Sequence, residues 1–274
     1  MFTLNCKGKL LMLDVPLIMG IINATPDSFY KGNINEDMLQ LAKQMVADGA
    51  GILDIGGQST RPGSSSITEE EELARVIPVI TAIHQHFPDT IISIDTYNSK
   101  VAEAAVNAGA SIVNDISAGN MDEQMLATVA NLNVPYICMH MQGIPATMQQ
   151  EPHYNDVALE VLDFFIAKIE ACKNAGITDI IIDPGFGFGK TITHNFSLLK
   201  KLSVLKILKC PILAGLSRKS TVYKTLHTTV DEALNGTSVL NTMALLNGAS
   251  MLRVHDVKEA MEAVTLFNAY KKAP

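Results

Sequence analysis

The stretch Ile91-Ile-Ser-Ile-Asp-Thr-Tyr-Asn-Ser-Lys-Val-Ala-Glu-Ala-Ala-Val-Asn-Ala-Gly-Ala-Ser-Ile-Val-Asn-Asp115 contains one complete structural unit. A short aliphatic run at 91–95 gives way, through Asn98, to a segment of helical composition at 99–108; Gly109 follows, and a second aliphatic run occupies 111–115. Asn98 can cap the helix with its side-chain oxygen. A glycine just past the last turn supplies the left-handed stop. The two runs are mostly apolar rather than alternating, which suits strands of a parallel sheet covered by helices.

The same unit recurs along the chain. Aliphatic runs lie at residues 16–23, 51–54, 91–95, 111–115, 134–140, 180–183, 211–217 and 250–256, most of them ending in a polar or charged residue. Helical content fills 35–48, 69–86, 99–108, 121–131, 155–175, 231–246 and 256–271. Thr68 can cap the second of these segments, with Glu69 to Glu72 at the positive end of its dipole. Eight evenly spaced units predict an α/β fold, a closed (β/α)8 TIM barrel in one domain spanning 1–274. A doubly wound open sheet is the structural rival. Residues 1–14 precede the first unit and are expected to form a small hairpin closing the barrel bottom.

Composition narrows the function. The 274-residue chain is 47% hydrophobic, enough for a large core, and its formal charge of −7 argues against a broad nucleic-acid surface. The aliphatic runs are too short to span a bilayer as helices, and no signal-peptide core precedes them; a cytoplasmic protein is expected. Cys6, Cys138, Cys172 and Cys210 form no CxxC pair and read as structural thiols. His84 and His86 read as residues of an exposed helix end, and no structural zinc is indicated.

Strand ends carry the chemistry. Asp95, Asn114 and Asp183 close the third, fourth and sixth runs or lie one residue from the close. A lone carboxylate there is as often a cap or brace, but two carboxylates and an amide in one pocket need partners, because an ionised unpaired carboxylate costs roughly several kcal/mol when buried. A heterocycle with adjacent N–H donors, such as a 2-amino-4-oxo-pyrimidine edge, would satisfy them, and the amide of Asn114 can donate and accept beside it.

Asp183-Pro-Gly-Phe-Gly-Phe-Gly-Lys190 is not a phosphate loop. Pro184 stands where a Walker A motif needs its first glycine, and GxGxG after the sixth run is not the dinucleotide fingerprint GxGxxG. These glycines are read as letting backbone approach a flat ligand, with Phe188 as an apolar wall and Lys190 simply solvated. Arg253 and His255 alternate with Val254, so both point the same way from the eighth run, beside the Ser217-Arg-Lys-Ser220 turn after the seventh. Phosphate sites of barrels recur there; the bland alternative is pairing with acids such as Asp256. The polar loops 23–30 and 56–63, with Arg61 as a bidentate anion binder, are candidates for a lid.

At these positions the chain resembles the dihydropteroate synthases of the pterin-binding barrel superfamily, from about Pro16 to Asp256. The shared motifs, in order, are 23–29, 56–63, Asp95, Asn114-Asp-Ile116, Met139-His-Met-Gln-Gly143, 183–190, 217–220 and 253–256. The resemblance implies condensation of 6-hydroxymethyl-dihydropterin pyrophosphate with p-aminobenzoate. It implies that Asp95, Asn114 and Asp183 hold the pterin edge, with Lys219 on the ring heteroatoms and Ile116, Met139, Phe188 and Gly215 lining the slot. Arg253 would stack on the ring and meet phosphate. Asn23, Arg61, Arg253 and His255 would receive the diphosphate, Asn23 through a bound magnesium ion. Phe29, Thr60, Arg61, Pro62, Phe186, Lys219 and Ser220 would surround p-aminobenzoate. A homodimer through helices of the C-terminal half is also implied.

Gln58 stands where the family often has Glu, and Tyr30-Lys31 replace a small-acidic pair; both bear on loop closure and inhibitor sensitivity rather than on the reaction. Two rivals are a methyltetrahydrofolate–corrinoid methyltransferase, which would not need Ser59-Thr-Arg-Pro-Gly63 or a pyrophosphate site, and a non-catalytic pterin-binding homologue. The presence of Asn23, Arg61, Lys219, Arg253 and His255 argues against the second.

Overall fold

The computed structural model describes residues 2–25, 34–59 and 66–274. Its first element is an antiparallel hairpin, β1 (Phe2–Cys6) and β2 (Lys9–Leu13). Eight parallel strands follow: β3 (Leu17–Asn23), β4 (Ile52–Gly56), β5 (Ile91–Asp95), β6 (Ile112–Asp115), β7 (Tyr136–Met139), β8 (Ile180–Asp183), β9 (Leu213–Ala214) and β10 (Met251–Val254). They run in the order β8-β7-β6-β5-β4-β3-β10-β9, and a parallel bridge between Ile182 and Ile212 closes the ring. The expected (β/α)8 barrel is the fold, with each expected run supplying one strand. The seventh is the shortest, reduced to two paired residues.

The helices are α1 (Ile34–Ala47), α2 (Glu69–His86), α3 (Ser99–Ala108), α4 (Met125–Leu132), α5 (Val157–Ala175), α6 (Ile192–Lys200), α7 (Ser220–Thr225), α8 (Leu234–Leu246) and α9 (Val257–Lys272). The caps anticipated from composition are present. Thr68 accepts from the Glu71 N–H at 3.2 Å, Asn98 accepts from the Lys100 N–H at 3.0 Å, and Gly109 takes φ +126°. The elements with no counterpart in the sequence reading are α6, α7 and a 3-10 turn at Leu202–Leu208. The six-residue α7 is too short to show a period. The start of α6 is set by a reciprocal cap between Thr191 and His194 rather than by an apolar stripe. No helix among the described residues is long and apolar enough to cross a membrane.

Alternation along the strands decides where the site lies. Met19, Ile52, Ile91, Ile112, Ile137, Ile181, Leu213 and Met251 form one apolar layer inside the barrel, sealed from below by Leu4, Cys6 and Leu13 of the hairpin. Two residues further along each strand, on the same face, stand Ile21, Asp54, Ser93, Asn114, Met139, Asp183, Gly215 and Arg253. The outward-facing strand residues, among them Leu53, Ile94, Val113, Cys138 and Ile182, join the helices in a second core. The barrel is thus apolar below and polar above, and the polarity changes within a single layer.

Candidate active site

Arg253 organises the mouth. It reaches inward from β10, with Nε 2.6 Å from Oδ2 of Asp54 on β4 and Nη2 2.6 Å from Oδ2 of Asp95 on β5. The Asn114 amide on β6 donates to the same Asp54 oxygen at 3.0 Å. Asp54 is fully buried. It carries no role in the sequence reading, although it closes the second run as Asp95 closes the third. That shared position was the available signal. With its Nδ2 engaged by Asp54, Asn114 keeps its carbonyl oxygen as an acceptor.

Asp183, at the end of β8, accepts from the Gly185 N–H at 2.7 Å. A methyl group on Gly215 would lie 3.8 Å from its other oxygen, and 4.0 Å from both Arg253 Cβ and Lys219 Nζ. Gly215 therefore leaves room beside the Asp183 carboxylate and the Lys219 ammonium. Lys219 donates to the Phe186 carbonyl and places Nζ 4.5 Å from the centre of the Phe188 ring. Ile116 and Met139 are buried nearby on adjacent strand ends.

Burial controls the ionisation of these groups. Loss of hydration pushes Asp95 up to about 7, against the pull of Arg253. Desolvation also raises Asp183, opposed by Lys219, the Gly185 N–H, Arg253 and Lys190. Lys219 is pushed down to about 8 by burial, with Asp183 opposing. For Arg253 burial disfavours the cation, but Asp54 and Asp95 outweigh it and hold the guanidinium charged.

The anion end lies beside this network. Ser217 Oγ is 3.0 Å from Nδ1 of His255 and accepts from the His255 N–H at 3.2 Å. A Ser217 hydroxyl donating to Nδ1 leaves the imidazole proton on Nε2. Arg218, with φ +53°, turns away and grips Asp256 through two bonds of 2.9 and 2.6 Å. Arg253 does pair with acids, but with Asp54 and Asp95 inside the barrel, while Arg218 takes Asp256. Ser217 thus orients His255, a role its place in the turn does not reveal from sequence.

Asn23, at the end of β3, is exposed, and Ser220 opens α7. Gln58 donates to the Tyr97 hydroxyl at 2.7 Å. Phe29, Tyr30, Lys31, Thr60, Arg61 and Pro62 lie outside the described residues.

Two expectations need correction. Lys190 is not solvated; only 2% of it is exposed. Phe186 offers no ring to a ligand, because it is wholly buried in the core between barrel and helices and contributes only its carbonyl. Alternation through the glycine loop sends the Phe186 ring inward to that core and leaves the Phe188 ring beside Lys219. Among the described residues no cluster of His, Cys, Asp and Glu has the form of a metal site.

The model of the pterin binding enzyme family matches residues 19–255. Dihydropteroate synthase of Escherichia coli K12 is 42% identical over 271 residues, 97% of this chain and 95% of the relative. The dihydropteroate synthase of Xanthomonas albilineans, solved with 4-aminobenzoic acid, superposes with a TM-score of 0.93 at 41% identity, covering 99% of both chains. The same protein in complex with 7,8-dihydropteroate gives 0.91 at 39% identity, with 100% of both chains covered. A Yersinia pestis dihydropteroate synthase complexed with a sulfonamide drug gives 0.94 at 41%, covering 99% of this chain and all of that one. The chain belongs to the pterin-binding enzyme family, among its dihydropteroate synthases.

Proposed function

We propose that the barrel mouth joins 6-hydroxymethyl-7,8-dihydropterin pyrophosphate to p-aminobenzoate, releasing 7,8-dihydropteroate and pyrophosphate. The observation that carries this reading is that Asp95, Asn114 and Asp183, suited to a ring with adjacent N–H donors, open onto the same strand ends as Arg253 and His255, suited to its diphosphate tail.

In this reading Asp95, the Asn114 carbonyl and Asp183 accept from the pterin edge and Lys219 donates to its heteroatoms. Ile116, Met139 and Phe188 flank the ring, and Gly215 leaves it room. The C–O bond to the exocyclic methylene breaks first, and its electron pair leaves with pyrophosphate. The resulting cation is delocalised over the electron-rich ring, held beside Asp95 and Asp183. The arylamine nitrogen then forms the new C–N bond and loses a proton. An arylamine is a weak nucleophile, so a strong electrophile made beforehand suits it. The protein's contribution is charge stabilisation and orientation, with Arg253 and His255 on the departing anion.

The exposed Asn23 amide is a hard oxygen donor, and the described residues offer no carboxylate cluster for a resident ion. This fits magnesium arriving on the diphosphate, with Asn23 as a protein ligand; when bound it would neutralise leaving-group charge. Phe29, Thr60, Arg61 and Pro62 would close over the substrates, Arg61 on the diphosphate, with Ser220 near the p-aminobenzoate carboxylate. Exposed Val239, Met243, Leu246, Leu266 and Tyr270 on α8 and α9 support pairing of two copies in the C-terminal half. A cytoplasmic location is consistent with unpaired thiols at all four cysteines.

The test is direct. Protein, magnesium, the pterin pyrophosphate and p-aminobenzoate are mixed, and dihydropteroate is sought by mass spectrometry. Its formation supports the proposal, and its absence with both substrates shown to bind would refute it.

A further inference from the structure

The buried ammonium of Lys190 takes no part in the chemistry above, yet it sits beneath the site. Its Nζ donates to Nδ1 of His140 at 2.9 Å, to the Gly185 carbonyl at 3.0 Å and to the Phe188 carbonyl at 3.1 Å. The His140 carbonyl is a fourth, longer partner at 3.5 Å, and no carboxylate is among its hydrogen-bond partners in the described residues. With Lys190 protonated, His140 accepts through Nδ1 of a neutral ring. Burial and the neighbouring ammonium hold the His140 pKa down to about 2, and burial pushes that of Lys190 down as well, with Asp183 opposing.

The tripod ties the end of β7 to the glycine loop. Gly185, Gly187 and Gly189 have φ of +68°, +82° and +59°, and the Gly185 and Phe188 carbonyls turn inward to Lys190. A side chain at Gly185 would put its Cβ 1.8 Å from the His140 carbonyl oxygen, so the loop is pressed against the strand end Lys190 holds. Other bonds brace the loop without charge: Asn195 accepts from the Gly187 N–H at 2.7 Å, and the Tyr154 hydroxyl donates to the Gly189 carbonyl at 2.9 Å. What the loop presents outward is the Phe188 ring and the Phe186 carbonyl, the two groups that hold Lys219.

We propose that Lys190 is a positioning residue for pterin recognition: its buried ammonium clamps the glycine loop so that Phe188 and Lys219 stand in register with Asp183. The inference rests on the reading that the barrel mouth takes a pterin. Lys190 acts through Phe188 and Lys219 beside Asp183. Lys219 is also expected at p-aminobenzoate, so the effect on the pterin should be the larger of the two. The nearby cation also favours ionisation of Asp183.

The experiment compares native protein, Lys190→Met and Tyr154→Phe. Affinity for 6-hydroxymethylpterin is measured by calorimetry, KM for p-aminobenzoate by steady-state kinetics, and thermal midpoints in parallel. Lys190→Met should weaken the pterin probe about tenfold or more while KM for p-aminobenzoate moves less than about twofold; Tyr154→Phe, which loosens the same loop, should change pterin affinity less than about threefold. Pterin affinity unchanged in Lys190→Met, both constants rising together, or an equal loss in Tyr154→Phe would each overturn the proposal. Reductive methylation of the native protein with peptide mapping provides a measurement independent of whether the variant folds. Lys190 should stay unmodified while exposed Lys43 reacts, and equal labelling would also overturn the proposal. A native protein that does not bind the probe fails the underlying reading itself, an outcome distinct from native binding with an unaffected variant.

Discussion

Nη2 of Arg253 lies 2.6 Å from Oδ2 of Asp95, although the two residues are 158 positions apart and their strands are separated by two others in the barrel. The cation suited to the departing anion is therefore joined to an acid suited to the ring. A ligand that uses both must divide them. Asp54, gripping Nε at 2.6 Å, is placed to keep the guanidinium at the mouth when Nη2 is released.

Asp54→Asn should lower kcat/KM by about a hundredfold or more, because Arg253 loses its anchor and Asn114 its orienting acceptor. Breaking a buried pair also leaves charge unmatched, at a cost of about 3–5 kcal/mol. Steady-state kinetics and urea unfolding of one preparation would check both; a variant with native kcat/KM removes Asp54 from the site.

His255 and Arg253 should separate stability from activity. His255→Ala removes a half-buried side chain at the rim and should cost about ten- to a thousandfold in kcat/KM while the melting temperature moves only about 2 °C. Arg253→Ala leaves Asp54 and Asp95 unpaired, so its activity loss should come with a large drop in melting temperature. Thermal melts of the two variants side by side decide this, and equal melting temperatures would count against the Arg253 ion pairs.

Glu72, buried in the first turn of α2, is pushed up to about 7 by desolvation, against a hydrogen bond from Thr96 and the charge of Arg75. A carboxyl with a raised folded-state pKa retains its proton longer in the folded protein. Its stabilising contribution is full below the unfolded value and is lost as pH rises through about 7, a change on the order of 3 kcal/mol. Asp95 acts in the same direction. Glu72→Gln should therefore gain on the native protein in melting temperature between about pH 5 and about pH 8, and a pH-independent difference would dismiss the effect.

Two glycines with positive φ test the loop geometry. Gly8, at φ +88° with open space around its Cβ position, should lose only about 1 kcal/mol on substitution by alanine. Gly185→Ala meets the His140 carbonyl and should destabilise far more, with loss of pterin affinity. Chemical unfolding of the pair measures the contrast; similar losses would mean the loop can shift.

Much of the architecture could be read locally. The run at 91–95, the Asn98 cap, the Gly109 stop and the run at 111–115 each depend on residues within a few positions of one another, so the strand–helix unit was legible and its repetition implied the barrel. The gathering of Asp95, Asn114, Asp183, Arg253 and His255 at one rim was legible for the same reason, since they stand at or beside strand ends; Lys219 entered only through the family resemblance. Asp54 stands in an equivalent place, but its role depends on Arg253 and Asn114, which reach it only across the closed ring. The six-residue α7 was hidden by its length.

By itself the chain determined the alternation of apolar strands and capped helices, and hence that its polar strand ends gather at one rim, because hydrophobic period and turn chemistry act over short sequence distances. Only the closed tertiary structure decided that Arg253 turns to Asp54 and Asp95 while Arg218 takes Asp256, that Lys190 is drawn inside, and that Phe186 faces the core while Phe188 faces Lys219. Those choices depend on register around the ring and on which charges find partners once water is removed. Neither quantity is a property of any local stretch.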